Sequence, residues 1–197
     1  MNKQDKRSRK TVNAIQQTVL KLLCTRPINE IRIVDLCMAA DINRTTFYLH
    51  FASVGEVLAS LQKEIIERVY ATQELQVQFD QPSNPMPFLT CCTDILNSYE
   101  YFQEFVRTSV NADLFFAQLK DGFAHKLFKT FIDSDPDTSP EMLFVIRFLI
   151  AGVLDVYTEW LKTDHHTPLD VVLQKCAPIV QAGQTILADP AKNSERK

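Results

Sequence analysis

The segment of residues 31–51 constrains the fold more than any other part of the sequence. Its apolar residues lie where two short helices joined by a tight turn would bury their contact, namely Leu36, Ala39, Ala40, Ile42, Phe47 and Phe51. Polar residues occupy the other side of the second predicted helix. This pattern predicts a helix-turn-helix, with helices over residues 33–40 and 43–50. Asn43 is a favourable N-cap for the second helix.

Helical spacing continues through the rest of the chain. Glycine occurs only 4 times, and apolar residues recur at intervals of three and four. A first helix is predicted to end near Cys24, and a long fourth helix to include Val57 through Val69. Further helices are predicted from near Phe88 and over residues 113–132, 140–162 and 168–188. Proline-containing loops are predicted at residues 80–87 and 133–140.

These elements predict an all-α protein of about nine helices. A three-helix N-terminal helix-turn-helix domain, residues 1–53, is joined by a long helix to an antiparallel helical C-terminal domain, residues 54–188. We call residues 1–53 the head. Residues 189–197 are predicted to be a disordered tail.

Charge is distributed unevenly along the chain. Residues 1–51 contain nine Lys or Arg and four Asp or Glu, a net charge of +5, whereas residues 52–197 have a net charge of −8. Four of the five excess positive charges lie in residues 1–10. A basic head on an acidic body is typical of a two-part DNA-binding protein, although clustering in a solvated tail accounts for part of the charge.

Several other classes of protein are disfavoured. Five cysteines without paired metal spacing indicate small core residues in a reducing compartment, with a redox role for Cys91 and Cys92 as the lesser alternative. We find no phosphate-binding glycine loop, nucleophile elbow or metal-spaced His/Cys set, so neither an enzyme nor a metal site nor a cofactor is expected. Without a signal peptide or an apolar run long enough to span a bilayer, a cytoplasmic location is expected.

The motif of residues 46–51, Thr-Phe-Tyr-Leu-His-Phe, resembles the recognition helix of the TetR family of bacterial transcription regulators. Ala39, Ala40 and Ile42 match the turn of that family, and Leu36 matches its buried position in the preceding helix. The specific part of the resemblance covers about 45 residues. It implies an operator-binding homodimer, often with a pocket for a small-molecule inducer.

Three positions depart from the family pattern. Asp41 replaces the usual turn glycine, and aspartate tolerates a left-handed backbone better than most residues. Arg32 stands where a threonine often caps the helix. Val54, followed by Gly55, stands where a lysine is common, so one phosphate contact is expected to be missing.

The predicted DNA contacts follow from side-chain chemistry and from the resemblance. Arg44 can donate two hydrogen bonds to guanine, and Thr45 and Leu49 can offer methyl groups to thymine. Tyr48 and His50 suit phosphate oxygens, as in the TetR family. The complete predicted set is Arg9, Lys10, Arg32, Asn43, Arg44, Thr45, Thr46, Tyr48, Leu49 and His50. The alternative is that Tyr48 and His50 are half-buried packing residues and that Arg44 is a surface charge with no role in DNA binding.

The C-terminal domain is predicted to supply a dimer surface and a pocket. The predicted dimer residues are Phe144, Phe148, Gly152, Tyr157, Trp160, Val172 and Ile179, which alternatively are buried within one subunit. The predicted pocket residues are Tyr99, Phe102, Phe115, Phe116 and Phe123. The alternative for these five is a filled core.

Together these features predict a sequence-specific transcriptional regulator, a repressor by family analogy, that binds a palindromic operator as a homodimer and is released by a small apolar ligand. The alternative is a TetR-like interaction protein or co-activator with weakened DNA contacts, controlled by a protein partner.

Overall fold

The computed structural model describes residues 3–72, 86–134, 136, 138–163 and 167–188. The predicted tail at residues 189–197 and most of the predicted loop at residues 80–87 lie outside these ranges. Within the described ranges no helix combines the length and the apolar character needed to cross a membrane.

Nine α-helices and one short 3-10 helix make up the secondary structure of the described residues, which contain no strand. The helices are α1 (Lys3–Leu23), α2 (Ile33–Ala39), α3 (Arg44–Tyr48), α4 (Val54–Ala71), α5 (Met86–Asn97), α6 (Phe102–Thr108), α7 (Ala112–Ser134), α8 (Met142–Lys162) and α9 (Leu169–Ala188), with the 3-10 helix at Ile28–Glu30 between α1 and α2. The all-α prediction is confirmed.

One boundary was not anticipated. Helices were predicted from near Phe88 without a boundary before residue 113, and the structure has two helices there, α5 and α6, separated by a turn at residues 98–101. The turn is held locally, because the Tyr99 amide donates to the Leu96 carbonyl at 3.1 Å and the Phe102 amide donates to Tyr99 at 3.1 Å.

The chain divides into two compact units. Unit 1 comprises Met1–Ile65 and Leu96–Phe115, and unit 2 comprises Ile66–Ile95 and Phe116–Lys197. The first division falls inside α4 and not at its start. Unit 1 therefore contains the helix-turn-helix together with a segment from the middle of the sequence, and the predicted functional division at residue 53 stays a prediction.

Unit 1 buries the inner faces of α1, α2, α3 and the first part of α4. Its fully covered side chains include Ile15, Val19, Leu20, Leu23, Leu36, Phe47, Val57 and Leu61. Three polar side chains, Gln16, Thr18 and Gln62, are buried with them and are hydrogen bonded. Gln16 Nε2 donates to Ser60 Oγ at 3.2 Å, and Gln62 Nε2 donates to the Phe115 carbonyl at 3.0 Å.

The segment of residues 96–111 braces α1 within unit 1. The Glu100 amide donates to Gln17 Oε1 at 3.0 Å, and the Lys21 ammonium lies 5.3 Å from the ring centre of Tyr101. The Ile28 amide, just after α1, donates to Asn111 Oδ1 at 3.0 Å. These contacts attach α1 and the loop that follows it to the segment of residues 96–111.

Unit 2 is centred on α7 and on the pair α8 and α9, which pack against each other. Ile146 and Ala124 are buried in its core beside Phe128 and Phe131. Trp160 Nε1 near the end of α8 donates to the Thr167 carbonyl at 2.9 Å, just before α9 begins. A Cβ on Gly183, late in α9, would overlap the side chain of Leu149, early in α8, so the two helices are antiparallel and close.

Candidate nucleic-acid interface

The turn between α2 and α3 is closed by backbone hydrogen bonds. The Ile42 amide donates to the Cys37 carbonyl at 3.0 Å and the Asp41 amide donates to Met38 at 3.3 Å. This pair of bonds is a Schellman motif, which needs a left-handed residue after the helix. Asp41 fills that place with φ 52°, so the predicted use of aspartate in place of glycine is confirmed.

Replacing Asp41 should change stability in a direction set by the backbone alone. Asp41→Gly should raise the free energy of unfolding by about 1 kcal/mol and Asp41→Ala should lower it, because a Cβ disfavours the left-handed region. Asp41 is exposed, so neither change removes core packing. Urea denaturation of the three proteins measures both effects, and equal stability of the glycine and alanine variants would contradict the explanation.

The start of α3 is fixed by its N-cap. Asn43 has an extended backbone (φ −85°, ψ 161°), and its Oδ1 accepts a hydrogen bond from the Thr46 amide at 2.7 Å. Phe47 is fully buried and packs edge-to-face on Tyr48 at 5.6 Å between ring centres. One cap and one buried ring therefore set which side of this five-residue helix faces outward.

The outward side of α3 carries most of the predicted DNA contacts. Arg44 and Thr45 are exposed, whereas Thr46 and His50 are half-buried. Tyr48 is 58% exposed and Leu49 is 76% exposed. The Arg44 guanidinium forms no ion pair or hydrogen bond with any residue that the structure describes. Burial raises the pKa of the Cys37 thiol in α2, and the positive charge of Arg44 offsets part of that rise. Arg44 is available to an external acceptor.

The other predicted contacts in unit 1 lie on α1 and before α2. Arg9 and Lys10 are exposed in the first half of α1. Arg32 is also exposed, but it is already paired, since its Nε and Nη2 donate to the two carboxylate oxygens of Asp35 at 3.0 and 2.8 Å. Arg32 was predicted as a DNA contact without a partner in the chain, and Asp35 was not among the predicted site residues. The signal was the i, i+3 spacing of opposite charges at the start of a helix.

Asp35 also contacts a second arginine. Arg26 Nη1 lies 3.4 Å from Asp35 Oδ2, so one carboxylate is shared by two guanidinium groups. The hydrogen bonds from Arg32, together with its charge, hold the pKa of the Asp35 carboxyl below its usual value. The same pair raises the pKa of Arg32.

The lowered pKa of Asp35 predicts a pH-dependent contribution to stability. Because the folded pKa lies below the unfolded one, the contribution is present above the ordinary aspartate pKa of 3.8 and is lost as the pH falls through the folded value. The difference in unfolding free energy between the wild type and Asp35→Asn should therefore shrink as the pH is lowered from about 5 to 3. Urea titrations across this range measure it, and a constant difference would contradict the assignment.

The start of α4 has a variant of the capping box, in which Glu56 accepts from the residue before the N-cap Ser53. Ser53 Oγ accepts from the Glu56 amide at 3.1 Å, and Glu56 Oε2 accepts from the Ala52 amide at 2.5 Å. The sequence signal was serine followed three residues later by glutamate. Val54 is 7% exposed and belongs to the core, which is consistent with a missing phosphate contact at that position.

The residues predicted to line a pocket are all buried, but they belong to different units. Tyr99, Phe102 and Phe115 lie in unit 1, whereas Phe116 and Phe123 lie in unit 2. In unit 1 the rings of Phe102 and Phe115 are 5.9 Å apart, and the Tyr99 hydroxyl donates to Glu64 Oε1 at 3.1 Å. These contacts favour the filled-core alternative in unit 1, and the pocket stays a prediction.

The predicted dimer residues separate into two groups. Phe144 and Phe148 are 72% and 73% exposed, and Ile179 is 65% exposed. Gly152 is exposed with open space around it, and Trp160 and Val172 are half-buried. Tyr157 differs, because it is 1% exposed and its hydroxyl is hydrogen bonded to Thr93 Oγ1 at 2.9 Å.

Tyr157 therefore belongs to the interior of unit 2 and contributes no surface to a partner. Its place among the predicted dimer residues is corrected for that reason. Within the chain, the close approach of α8 and α9 occurs at Gly183, where the neighbour is Leu149, and Gly152 stays a predicted dimer residue.

The cysteines carry no obvious chemistry. All five thiols are free, and burial raises the pKa of Cys92 far above its usual value, which disfavours the reactive thiolate. Cys91 Sγ lies 3.3 Å from Thr72 Oγ1. In the described part of the chain no group of three or more His, Cys, Asp or Glu side chains is placed to hold a metal ion.

The fold of this chain is similar to that of a solved structure. No protein-family model matches the sequence, and no curated protein matches it either. Among solved structures, the chain is similar to a TetR transcriptional regulator from Streptococcus agalactiae 2603V, with a TM-score of 0.57 and 20% sequence identity over 90% of this chain and 97% of that one. The chain has a TetR-like fold. The helix-turn-helix of unit 1 is thus set in the fold that the motif at residues 46–51 predicted.

Proposed function

We propose that this protein is a sequence-specific DNA-binding transcriptional regulator. The proposal rests on the outward side of α3, where Arg44, Thr45 and Leu49 are exposed. The start of this helix is fixed by its N-cap, Asn43. A helix-turn-helix presents its second helix to the major groove, and the N-terminal residues of that helix contact base edges. The TetR-like fold supports the same assignment.

Within this proposal each exposed side chain has a chemical role. The guanidinium of Arg44 donates to guanine O6 and N7, and the methyl groups of Thr45 and Leu49 contact thymine. The hydroxyl of Tyr48 and the imidazole of His50 contact phosphates. These phosphate contacts fix the position of the helix, and the base contacts give specificity.

The phosphate affinity of the head comes from sequence-independent contacts. Arg9 and Lys10 on the exposed side of α1 neutralise phosphate groups and release counterions. Binding at these residues does not depend on base sequence. The protein is therefore expected to bind any duplex weakly and its operator more tightly.

We further propose that the regulator acts as a homodimer on a palindromic operator. One short helix reads few base pairs, whereas two heads about 34–36 Å apart meet successive major grooves. The exposed apolar residues Phe144, Phe148 and Ile179 support a partner on the α8–α9 face. Repression follows if the operator overlaps a promoter.

Release by a small apolar ligand is the remaining part of the proposal. A ligand changes DNA affinity only if it binds better to the state that cannot span both grooves. In unit 1 the packing of Phe102 on Phe115 supports a filled core. Isothermal titration with candidate ligands selected from genes beside the operator tests this part separately.

Arg44 and Lys10 provide the test of base readout. Arg44→Ala should weaken operator binding by about 1–3 kcal/mol while leaving random DNA nearly unaffected, since it removes a base contact. Lys10→Ala should weaken both duplexes alike, since it removes a phosphate contact. Sequencing the DNA fragments retained by the purified protein supplies the operator, and fluorescence anisotropy measures both affinities.

The outcome of that comparison decides the role of Arg44. An equal loss of affinity for operator and random DNA in Arg44→Ala would remove it from base readout. A wild type that shows no salt-dependent binding to any duplex would contradict the proposed function as a whole.

A second candidate function is an interaction protein that uses the TetR-like fold with weakened DNA contacts. The observation that favours it is the pairing of Arg32 with Asp35, which occupies a predicted phosphate ligand, together with the burial of Val54. A salt titration separates the two functions. Steep loss of binding with salt and a protected palindrome support the regulator, whereas flat or absent DNA binding supports the protein partner.

A further inference from the structure

The ion-pair cluster at the start of α2 joins Asp35 to two arginines. Arg32 binds both carboxylate oxygens, and Arg26 lies 3.4 Å from Oδ2. The arginine side chains are 75% and 34% exposed, whereas the Asp35 side chain is only 12% exposed. A largely covered carboxylate therefore offsets the charge of two guanidinium groups that reach solvent.

The geometry of the Arg32 pair matters because arginine binds phosphate and carboxylate in the same way. Two N–H groups on one edge of the guanidinium donate in parallel to two oxygens. In this chain the Nε and Nη2 edge of Arg32 is filled by Asp35. A DNA phosphate that approaches this edge must displace the carboxylate or accept hydrogen bonds from the remaining N–H groups.

The cluster also lies on the element that meets the DNA backbone. In helix-turn-helix proteins the first helix of the motif crosses the phosphates while the second enters the groove. Arg32 is the N-cap residue of α2, the first helix of this motif, and Asp35 lies in its first turn. A negative charge here repels phosphates, and it belongs to α2 and not to the base-reading helix α3.

We propose that Asp35 limits the sequence-independent DNA affinity of the head by competing with phosphate for Arg32 and Arg26. The inference rests on the proposed function. Asp35 sets the strength of backbone binding in this account and touches no base. Because it lowers the affinity for all sequences alike and leaves the α3 contacts intact, the ratio of operator binding to random binding stays about the same.

The test compares Asp35→Asn, Arg32→Gln and the double variant on a random-sequence duplex. Asp35→Asn keeps the side-chain shape and removes the charge. It should bind the duplex at least about threefold more tightly at low salt, and the slope of log affinity against log salt should steepen by roughly 0.9 for each arginine that gains a phosphate. Adding Arg32→Gln should abolish most of this gain.

Two controls keep the result interpretable. Arg32→Gln alone should reduce the salt slope less than Lys10→Gln does, because Lys10 forms no ion pair among the residues that the structure describes and is a free phosphate ligand. Asp35→Gln is a second neutral variant that suits the third position of a helix, and it replaces Asp35→Asn if that protein does not fold.

The possible outcomes separate the inference from the function on which it rests. Unchanged or weaker binding by a folded, neutral Asp35 variant, with salt-dependent binding by the wild type, would overturn the inference alone. No duplex binding by the wild type and the variants would overturn both. Tighter binding by the neutral variant with a steeper slope, reversed by Arg32→Gln, supports the role of Asp35.

Discussion

Phe102→Ala should lower the free energy of unfolding by about 3–5 kcal/mol, the range found for removing a buried phenylalanine ring. Phe102 is 0% exposed, and its ring lies 6.0 Å from that of Phe105 and 5.9 Å from that of Phe115. Phe105 and Phe115 meet edge-to-face at 5.4 Å. The change leaves a cavity among three rings that brace unit 1, and urea denaturation followed by circular dichroism measures the loss.

Leu114→Ala is the matched control for this experiment. Leu114 lies in the same unit beside Phe115 but is 57% exposed, so its truncation should cost little. A loss below about 1 kcal/mol for Phe102→Ala would contradict a filled core at this position and would favour the open pocket. The same experiment therefore decides between the two alternatives for Tyr99, Phe102 and Phe115.

The fold could be predicted because its signals are local. Scarce glycine and apolar spacing of three and four specify helices whatever their neighbours are. The turn of the helix-turn-helix was predictable for the same reason, since the backbone of Asp41 and the cap at Asn43 depend on residues within three or four positions. The starts of α8 and α9 were also predictable locally, from Pro140 and Pro168 shortly before each helix.

Partners across the fold could not be predicted in this way. The Arg32–Asp35 pair has a local signal in its i, i+3 spacing, whereas the second partner of Asp35, Arg26, lies nine residues away and has no such signal. In α8 apolar residues occur on several faces, so the sequence does not say which face the rest of unit 2 covers. The structure buries Ile146 and Tyr157 and leaves Phe144 and Phe148 exposed.

That exposed pair is the basis of the second large prediction. Phe144 and Phe148 are four residues apart and so share one face of α8, and Gly152 continues this face with open space. Burying an exposed phenylalanine side chain contributes about 1.5–3 kcal/mol of free energy, and a symmetric partner that covers both rings would provide this stabilisation. A contiguous apolar face of this kind is typical of an interface.

Phe148→Asp should convert the proposed dimer into a monomer, because two-fold symmetry places two unpaired carboxylates in one apolar interface. Operator affinity should then fall by about 10²–10⁴-fold, since the second head no longer binds at a high effective concentration. The salt slope should fall to about half, because one head neutralises half as many phosphates. Sedimentation velocity and anisotropy titrations measure these effects.

Leu114→Asp adds the same charge at an exposed apolar position of unit 1 and should leave both the dimer and the operator affinity unchanged.

A wild type that sediments as a monomer at micromolar concentration would contradict the dimer. If Phe148→Asp stays dimeric and binds the operator normally, the interface lies elsewhere, and the exposed face of α8 needs another partner. If the variant is monomeric but keeps full operator affinity, one head suffices for recognition, and the argument from successive major grooves fails even though the interface is correct. Sedimentation and DNA binding must therefore change together for the proposed dimer to explain operator recognition.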